Sequence, residues 1–342
     1  MKLVRSASKV MAVPAAHARE KRALAWCGLA AMIAFGAGSG SCQAASLAEK
    51  WQVPSEDVTF QGVEKRFGRR PIPAELHFPK NATGKLPLII TQHGSSRDGG
   101  KILNGQGRTD ELSARLIKQG TDAGFAVAVL DAFEGTGIRP RDKKKFPQAH
   151  RYVAQLRAKM AAHPRIDATN MFLTGFSFGG GTVLKHLDAR YIGDVPGWRA
   201  VAAAEPGCGM FSEPVAISFP VLIVKGGESH YPPAPCMLYR DLLRAAGTRV
   251  SYLLIPTANH FFSENGRIVE GVAVNGCSDN PVIRAPNGKL RFADGTPTDR
   301  ATVMRKCITN RAGAGRSREH LDFAIQKIID FFQAARRAGG AS

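Results

Sequence analysis

Three side chains in this sequence could together break an acyl bond: a serine, a histidine and a carboxylate. A serine hydroxyl is a weak nucleophile at neutral pH and needs a base beside it. A histidine can take its proton and return it to a leaving group, and a carboxylate can hold the imidazole in the right tautomer. Ser177 stands in Gly175-Phe176-Ser177-Phe178-Gly179, after the apolar run Met171-Phe172-Leu173 and before Gly180-Gly181-Thr182-Val183-Leu184. A short strand, a tight turn and a helix form the context that Gly-x-Ser-x-Gly needs to lift a serine clear of a sheet. Such a turn aims the Phe178 backbone N–H and the start of the helix at any oxygen that becomes negative there. A second N–H for that oxyanion is predicted from Ser95, in His93-Gly94-Ser95-Ser96. His260 follows the last apolar run, in Asn259-His260-Phe261-Phe262, and is the candidate base. The candidate acid is Glu228, in Gly226-Gly227-Glu228-Ser229-His230, with Glu205 the alternative. His93 is expected to position backbone, and His230 to lie in a surface loop. Phe176 reads as core packing, and Phe178 and Phe261 as pocket walls.

The elements that must hold these residues alternate along the chain. Runs at 85–93, 125–130, 170–174, 200–204, 220–224 and 250–255 read as buried strands. Helices are predicted over 110–120, 149–162, 179–187, 237–246 and 319–336, and the last carries Leu321, Ala324, Ile325, Ile328, Phe331 and Phe332 on one side. Residues 58–62 and 74–78 alternate and read as an edge hairpin. Continuous apolar strands between helices predict an α/β fold, a mostly parallel central sheet with helices on both faces. In such a sheet functional loops gather at the carboxyl ends of the strands, where every candidate residue stands. Residues 263–316 are polar and turn-rich, bracketed by Cys277 and Cys307, and read as a disulfide-tied insertion.

The chain has 342 residues and a formal net charge of +19 at pH 7. The densest basic cluster, Arg139 to Lys145, lacks the aromatic residues of a nucleic-acid platform and reads as a solvated loop. No nucleic-acid partner is therefore expected. The first 22 residues hold Lys2, Arg5, Lys9, Arg19, Lys21 and Arg22 against Glu20 alone. An apolar run from Ala23 to Gly38 follows, then the small residues Ser41-Cys42-Gln43-Ala44-Ala45. This is the pattern of a secretory signal peptide over 1–44, ahead of a single domain over 46–342. The apolar run is shorter than the ~18 residues of a spanning helix, so no stable membrane insertion is expected once it is removed. An exported chain, periplasmic or secreted, can keep disulfides. Its four remaining cysteines, Cys208, Cys236, Cys277 and Cys307, permit three pairings. None has the Cys-x-x-Cys spacing of a metal or redox site, and no metal or cofactor is implied.

With the motifs assembled, the chain resembles the dienelactone hydrolase-like branch of the α/β-hydrolase superfamily, as a serine-nucleophile member. The resemblance rests on His93-Gly94-Ser95-Ser96, Leu130-Asp131-Ala132-Phe133, Thr174 to Gly180, Glu205-Pro206-Gly207-Cys208, Tyr231 to Cys236 and Asn259-His260-Phe261-Phe262. These span roughly residues 85–265, and the order serine, acid, histidine along the chain is that of the superfamily. The resemblance implies the α/β-hydrolase fold and a carboxylic ester hydrolase acting on a small-molecule ester. It implies pairing of Cys208 with Cys236 near the active-site face, which leaves Cys277–Cys307 to close the insertion. Three departures stand out. The founding members use a cysteine nucleophile where this chain has Ser177. The family places an aspartate where alignment on Tyr231 and Pro233 puts Ser229. The 263–316 insertion has no counterpart in compact members. A peptidase or acyltransferase on the same residues, and a non-catalytic binding protein that has lost its acid, are the alternative readings.

Overall fold

Strands that are apolar at every position end up in the middle of the sheet. Strands β3 (Leu86–Gln92), β4 (Ala126–Leu130), β6 (Ala200–Ala204) and β8 (Val221–Gly226) are buried along their whole length. The computed structural model describes residues 52–97, 108–138, 146–191, 197–264, 267–315 and 319–338. The expected signal segment and the basic run 139–145 lie outside the described residues. β1 (Ser55–Glu64) and β2 (Gly68–His77) form the edge hairpin, β5 (Ile166–Phe176) lies at the centre, and β9 (Val250–Ile255) closes the other edge. The eight strands run in the order β1-β2-β4-β3-β5-β6-β8-β9. Only β2 runs against the others; from β4 to β9 every pairing is parallel.

Strand alternation divides the core in two. Ile89, Val127, Phe172, Ala202 and Leu222 point to one face, where helices α1 (Glu111–Asp122) and α6 (Leu321–Arg337) cover them. Leu88, Ala128, Leu173, Val201 and Ile223 point to the other, against α2 (Ala149–Ala161), α3 (Phe178–Lys185) and α4 (Pro233–Ala245). Side chains buried on both faces explain why these strands read as unbroken apolar runs. β6 is built of alanine and valine alone, which leaves room beside it for Phe172 to meet Phe332, their ring centroids 4.9 Å apart.

The segment predicted as an insertion contains three short strands, a helix and a strand pair. β10 (Val269–Ala273) pairs with β14 (Thr309–Ala314). β11 (Val282–Arg284), β12 (Leu290–Phe292) and β13 (Pro297–Thr298) form a small sheet, followed by α5 (Arg300–Lys306). That sheet takes its fourth strand from outside the segment: β7 (Met210–Ser212), just past β6, pairs in parallel with β11. Cys277 bonds to Cys307 within the segment, and Cys208 bonds to Cys236, joining the connection after β6 to α4. Among the described residues, no helix is long and apolar enough to cross a membrane.

Candidate active site

The register of three neighbouring strands sets the site. Phe176, the last residue of β5, lies opposite Ala204, the last of β6, and Ala204 lies opposite Val224 in β8. Ser177 and Glu205 therefore leave the sheet side by side. The Ser177 N–H donates to the Ala204 carbonyl at 2.9 Å, and the Glu205 N–H to the Val224 carbonyl at 2.9 Å. Both residues adopt left-handed backbone, with φ of 55° at Ser177 and 50° at Glu205. Non-glycine residues rarely hold such angles, which cost about 1–3 kcal/mol and cluster at functional sites. The turn at Ser177 is tight enough to dictate its glycines. A Cβ at Gly179 would run into the Gln92 carbonyl, and one at Gly175 would lie 2.6 Å from the Gly179 carbonyl carbon.

His260 reaches this edge on the loop after β9. Its Nε2 lies 3.0 Å from the Ser177 Oγ, and its Nδ1 lies 2.9 Å from the Glu205 Oε2. Serine, imidazole and carboxylate thus form one hydrogen-bonded line, with Nδ1–H donating to the carboxylate and Nε2 facing the hydroxyl. Glu205 is fully buried and satisfied by several donors. Its Oε2 also accepts from the Ser229 hydroxyl at 2.6 Å and from Lys225 Nζ at 2.9 Å, and its Oε1 accepts from the Gly226 N–H. Burial pushes the Glu205 carboxyl up, but the Lys225 charge and the His260 hydrogen bond outweigh it and hold the group below the usual carboxylate range. Burial likewise lowers the His260 imidazole, against the opposing pull of Glu205. At neutral pH the pair is a carboxylate and a neutral imidazole, as a general base requires.

Glu228 is not the partner of His260. β8 runs on to Gly226, and the chain then turns so that the Glu228 N–H donates to the Ala258 carbonyl while the residue is exposed. Glu205 comes from the strand between β5 and β8 and stands directly under the imidazole. The sequence carried a signal for it: a glutamate at the end of an otherwise all-apolar strand, where an unpaired charge would be costly. Ser229, at the position where the resembled family carries its acid, donates its hydroxyl to Glu205 instead.

The Phe178 N–H opens α3, and the Ser95 N–H lies in the loop after β3. Among the described residues neither donates to a protein acceptor, and both residues line the cavity that contains Ser177. His93 fixes the Ser95 loop. Its Nδ1 donates to the Gly94 carbonyl at 2.7 Å, and its Nε2 accepts from the Ala132 N–H at 3.1 Å. Burial, more than any other cause, pushes this imidazole down to about 3, so it stays neutral. Asp110, which caps α1 through the Ser113 N–H at 2.8 Å, also accepts from the Gly94 N–H. Its role, missed in the sequence, joins helix capping to loop placement.

The cavity beside Ser177 holds about 480 Å³. Phe146, Phe178, Met210, Phe211 and Tyr231 give it apolar walls, and Lys185, Asp188 and Arg284 add charged groups to the lining. Arg284 comes from β11, so the insertion lines the cavity. Phe176 packs under His260 with centroids 5.1 Å apart, and Phe261 lies 5.3 Å from His260 without facing the cavity. His230 is buried, 4.5 Å from the His260 ring and 4.1 Å from the Tyr231 ring, rather than in a surface loop. Among the described residues no group of histidine, cysteine or carboxylate side chains is arranged to hold a metal ion.

The mostly parallel eight-stranded sheet with β2 reversed, the serine turn at its centre and the histidine after its last strand decide the architecture. The chain has the α/β-hydrolase fold. No family model matches the chain, and no curated protein sequence does either. Solved structures similar to it include a Klebsiella pneumoniae protein assigned as a dienelactone hydrolase, at 19% identity and a TM-score of 0.42, covering 59% of this chain and 87% of that one. A Pyrobaculum calidifontis esterase aligns at 17% identity and a TM-score of 0.44, covering 61% of this chain and 78% of that one. An esterase of Mycobacterium marinum aligns at 16% identity and a TM-score of 0.48, covering 63% of this chain and 76% of that one.

Proposed function

We propose that the protein is a serine hydrolase that cleaves small carboxylic esters through an acyl-enzyme. The observation that carries this reading is the line from Ser177 Oγ through His260 to Glu205, with hydrogen bonds of 3.0 and 2.9 Å. Ser177 attacks the ester carbonyl while His260 takes its proton at Nε2. Glu205 keeps the other proton on Nδ1 and stabilises the imidazolium that forms. The Phe178 and Ser95 N–H groups receive the tetrahedral oxyanion. His260 then gives its proton to the departing alkoxide, and water, activated by the same imidazole, releases the acid.

The sequence resemblance to the dienelactone hydrolase-like family fits this reading, with a serine in place of the cysteine nucleophile. A non-catalytic binding role drew its motive from the missing aspartate at Ser229, and Glu205 removes that motive. Export follows from the amino-terminal sequence pattern, and two disulfides are compatible with it.

A fluorophosphonate tests the reading directly. Mass spectrometry of the treated protein is expected to find one phosphonyl group on Ser177 and none on Ser177→Ala. Folded protein that stays unlabelled would contradict the proposal.

A further inference from the structure

Lys225 is a fully buried lysine whose side chain leaves β8 just before the strand ends. Its Nζ has the Glu205 Oε2 at 2.9 Å and the face of the Tyr231 ring 5.6 Å away. Taking an ammonium out of water costs several kcal/mol, and a well-packed apolar side chain can often replace such a pair without loss of stability. The pairing is therefore poorly explained by packing. The same Oε2 accepts from His260 Nδ1 and from the Ser229 hydroxyl, so one oxygen joins the imidazole to the ammonium.

We propose that Lys225 is a positioning residue that acts through Glu205, keeping the carboxylate charged and the Ser177–His260 pair in working form in mildly acidic solution. The proposal rests on the hydrolase reading above. Its physics is simple. A carboxylate buried without a cation takes up a proton readily. A protonated Glu205 can no longer accept from all its donors, and His260 loses its orientation. The lysine charge prevents this, and the same charge opposes formation of the imidazolium. The other groups facing the cluster modify these effects without replacing them. They are His230 and Tyr231 on the loop after β8, Tyr252 on β9 and Arg311 on β14. Arg311 is exposed and so screened by solvent.

The test is the pH profile of kcat/KM for the full mature chain, with released product quantified by chromatography. Wild type, Lys225→Met and Lys225→Arg are compared, and circular dichroism is recorded at each pH. The wild-type acid limb is expected below the ordinary histidine value of ~6.5. Lys225→Met is expected to move that limb up by about one unit or more, for about a tenfold loss on the acid side, and to approach the wild-type rate in alkali. Lys225→Arg is expected to restore the limb. An unmoved limb, or a loss equal at every pH, overturns the proposal. If Lys225→Met does not fold, a wild-type limb at or above ~6.5 overturns it on its own. Ser177→Ala separates the two claims. Full activity in that variant sinks the hydrolase reading, whereas an inactive Ser177→Ala with an unmoved limb sinks only the role of Lys225.

Discussion

The elbow at Ser177 and the segment from β10 to β14 meet at the same histidine, yet different forces hold them. The elbow is set in two apolar layers that cover both faces of the sheet. Its geometry comes from backbone packed so closely that three successive glycine sites, Gly175, Gly179 and Gly180, have no room for a Cβ. The inserted segment has only a small core, Cys277, Val282, Phe292, Val303 and Cys307, two of whose members are the disulfide itself. It nevertheless touches the site. The His260 N–H donates to the Gly313 carbonyl at 2.8 Å, Asn275 donates to the His230 carbonyl at 3.1 Å, and Gly271 lies against the His230 ring. Ser177 is thus held in place by hydrophobic burial, whereas His260 is held partly by a covalently tied segment.

Two substitutions sharpen that contrast. Gly179→Ala attacks the elbow and is expected to have the larger effect. The clash is with backbone, which cannot step aside, so a loss above about 4 kcal/mol or no folded protein is expected. Chemical denaturation or soluble yield reads it, and near-wild-type stability would show that the turn can relax. Paired replacement of Cys277 and Cys307 by serine attacks the appendage. A bridge spanning 30 residues stabilises its loop by roughly 3 kcal/mol. The sheet is expected to stay folded by circular dichroism, while kcat falls about tenfold as the support of His260 loosens. Unchanged kcat would mean that the insertion does not help to place the base.

The same contrast decides what was legible in the sequence. The sheet was readable because β3, β4, β6 and β8 are buried on both faces and so are apolar at every position. The turn at Ser177 and the loop that carries Ser95 were readable as structure, because a serine turn and a strand-end loop are local patterns. His260 stands where its place after the last strand implied. The carboxylate was harder to find. Which glutamate faces His260 depends on β6 lying between β5 and β8, and on left-handed backbone at Glu205, neither of which is local. Glu228 stands one residue before Ser229, the position where the resembled family carries its acid, but it turns to solvent. Lys225 carried no signal in the sequence, because Val-Leu-Ile-Val-Lys-Gly does not reveal that the end of the strand is covered. The pairing of β7 with β11 rests on three residues a side and joins distant parts of the chain, too short a pattern to stand out.

Glu205 is the residue on which the proposed mechanism turns, and hydrolysis of nitrophenyl esters by wild type, Glu205→Gln and Glu228→Gln tests its role most directly. Glutamine keeps the size of the side chain but cannot hold the same imidazole tautomer or stabilise its cation. Loss of the orienting acid is expected to lower kcat by about 10⁴ in Glu205→Gln. Glu228→Gln is expected to stay within about twofold of wild type, as an exposed residue away from the chemistry should. The reverse pattern, an active Glu205→Gln and a crippled Glu228→Gln, would contradict the assignment of the acid on which the proposed mechanism stands.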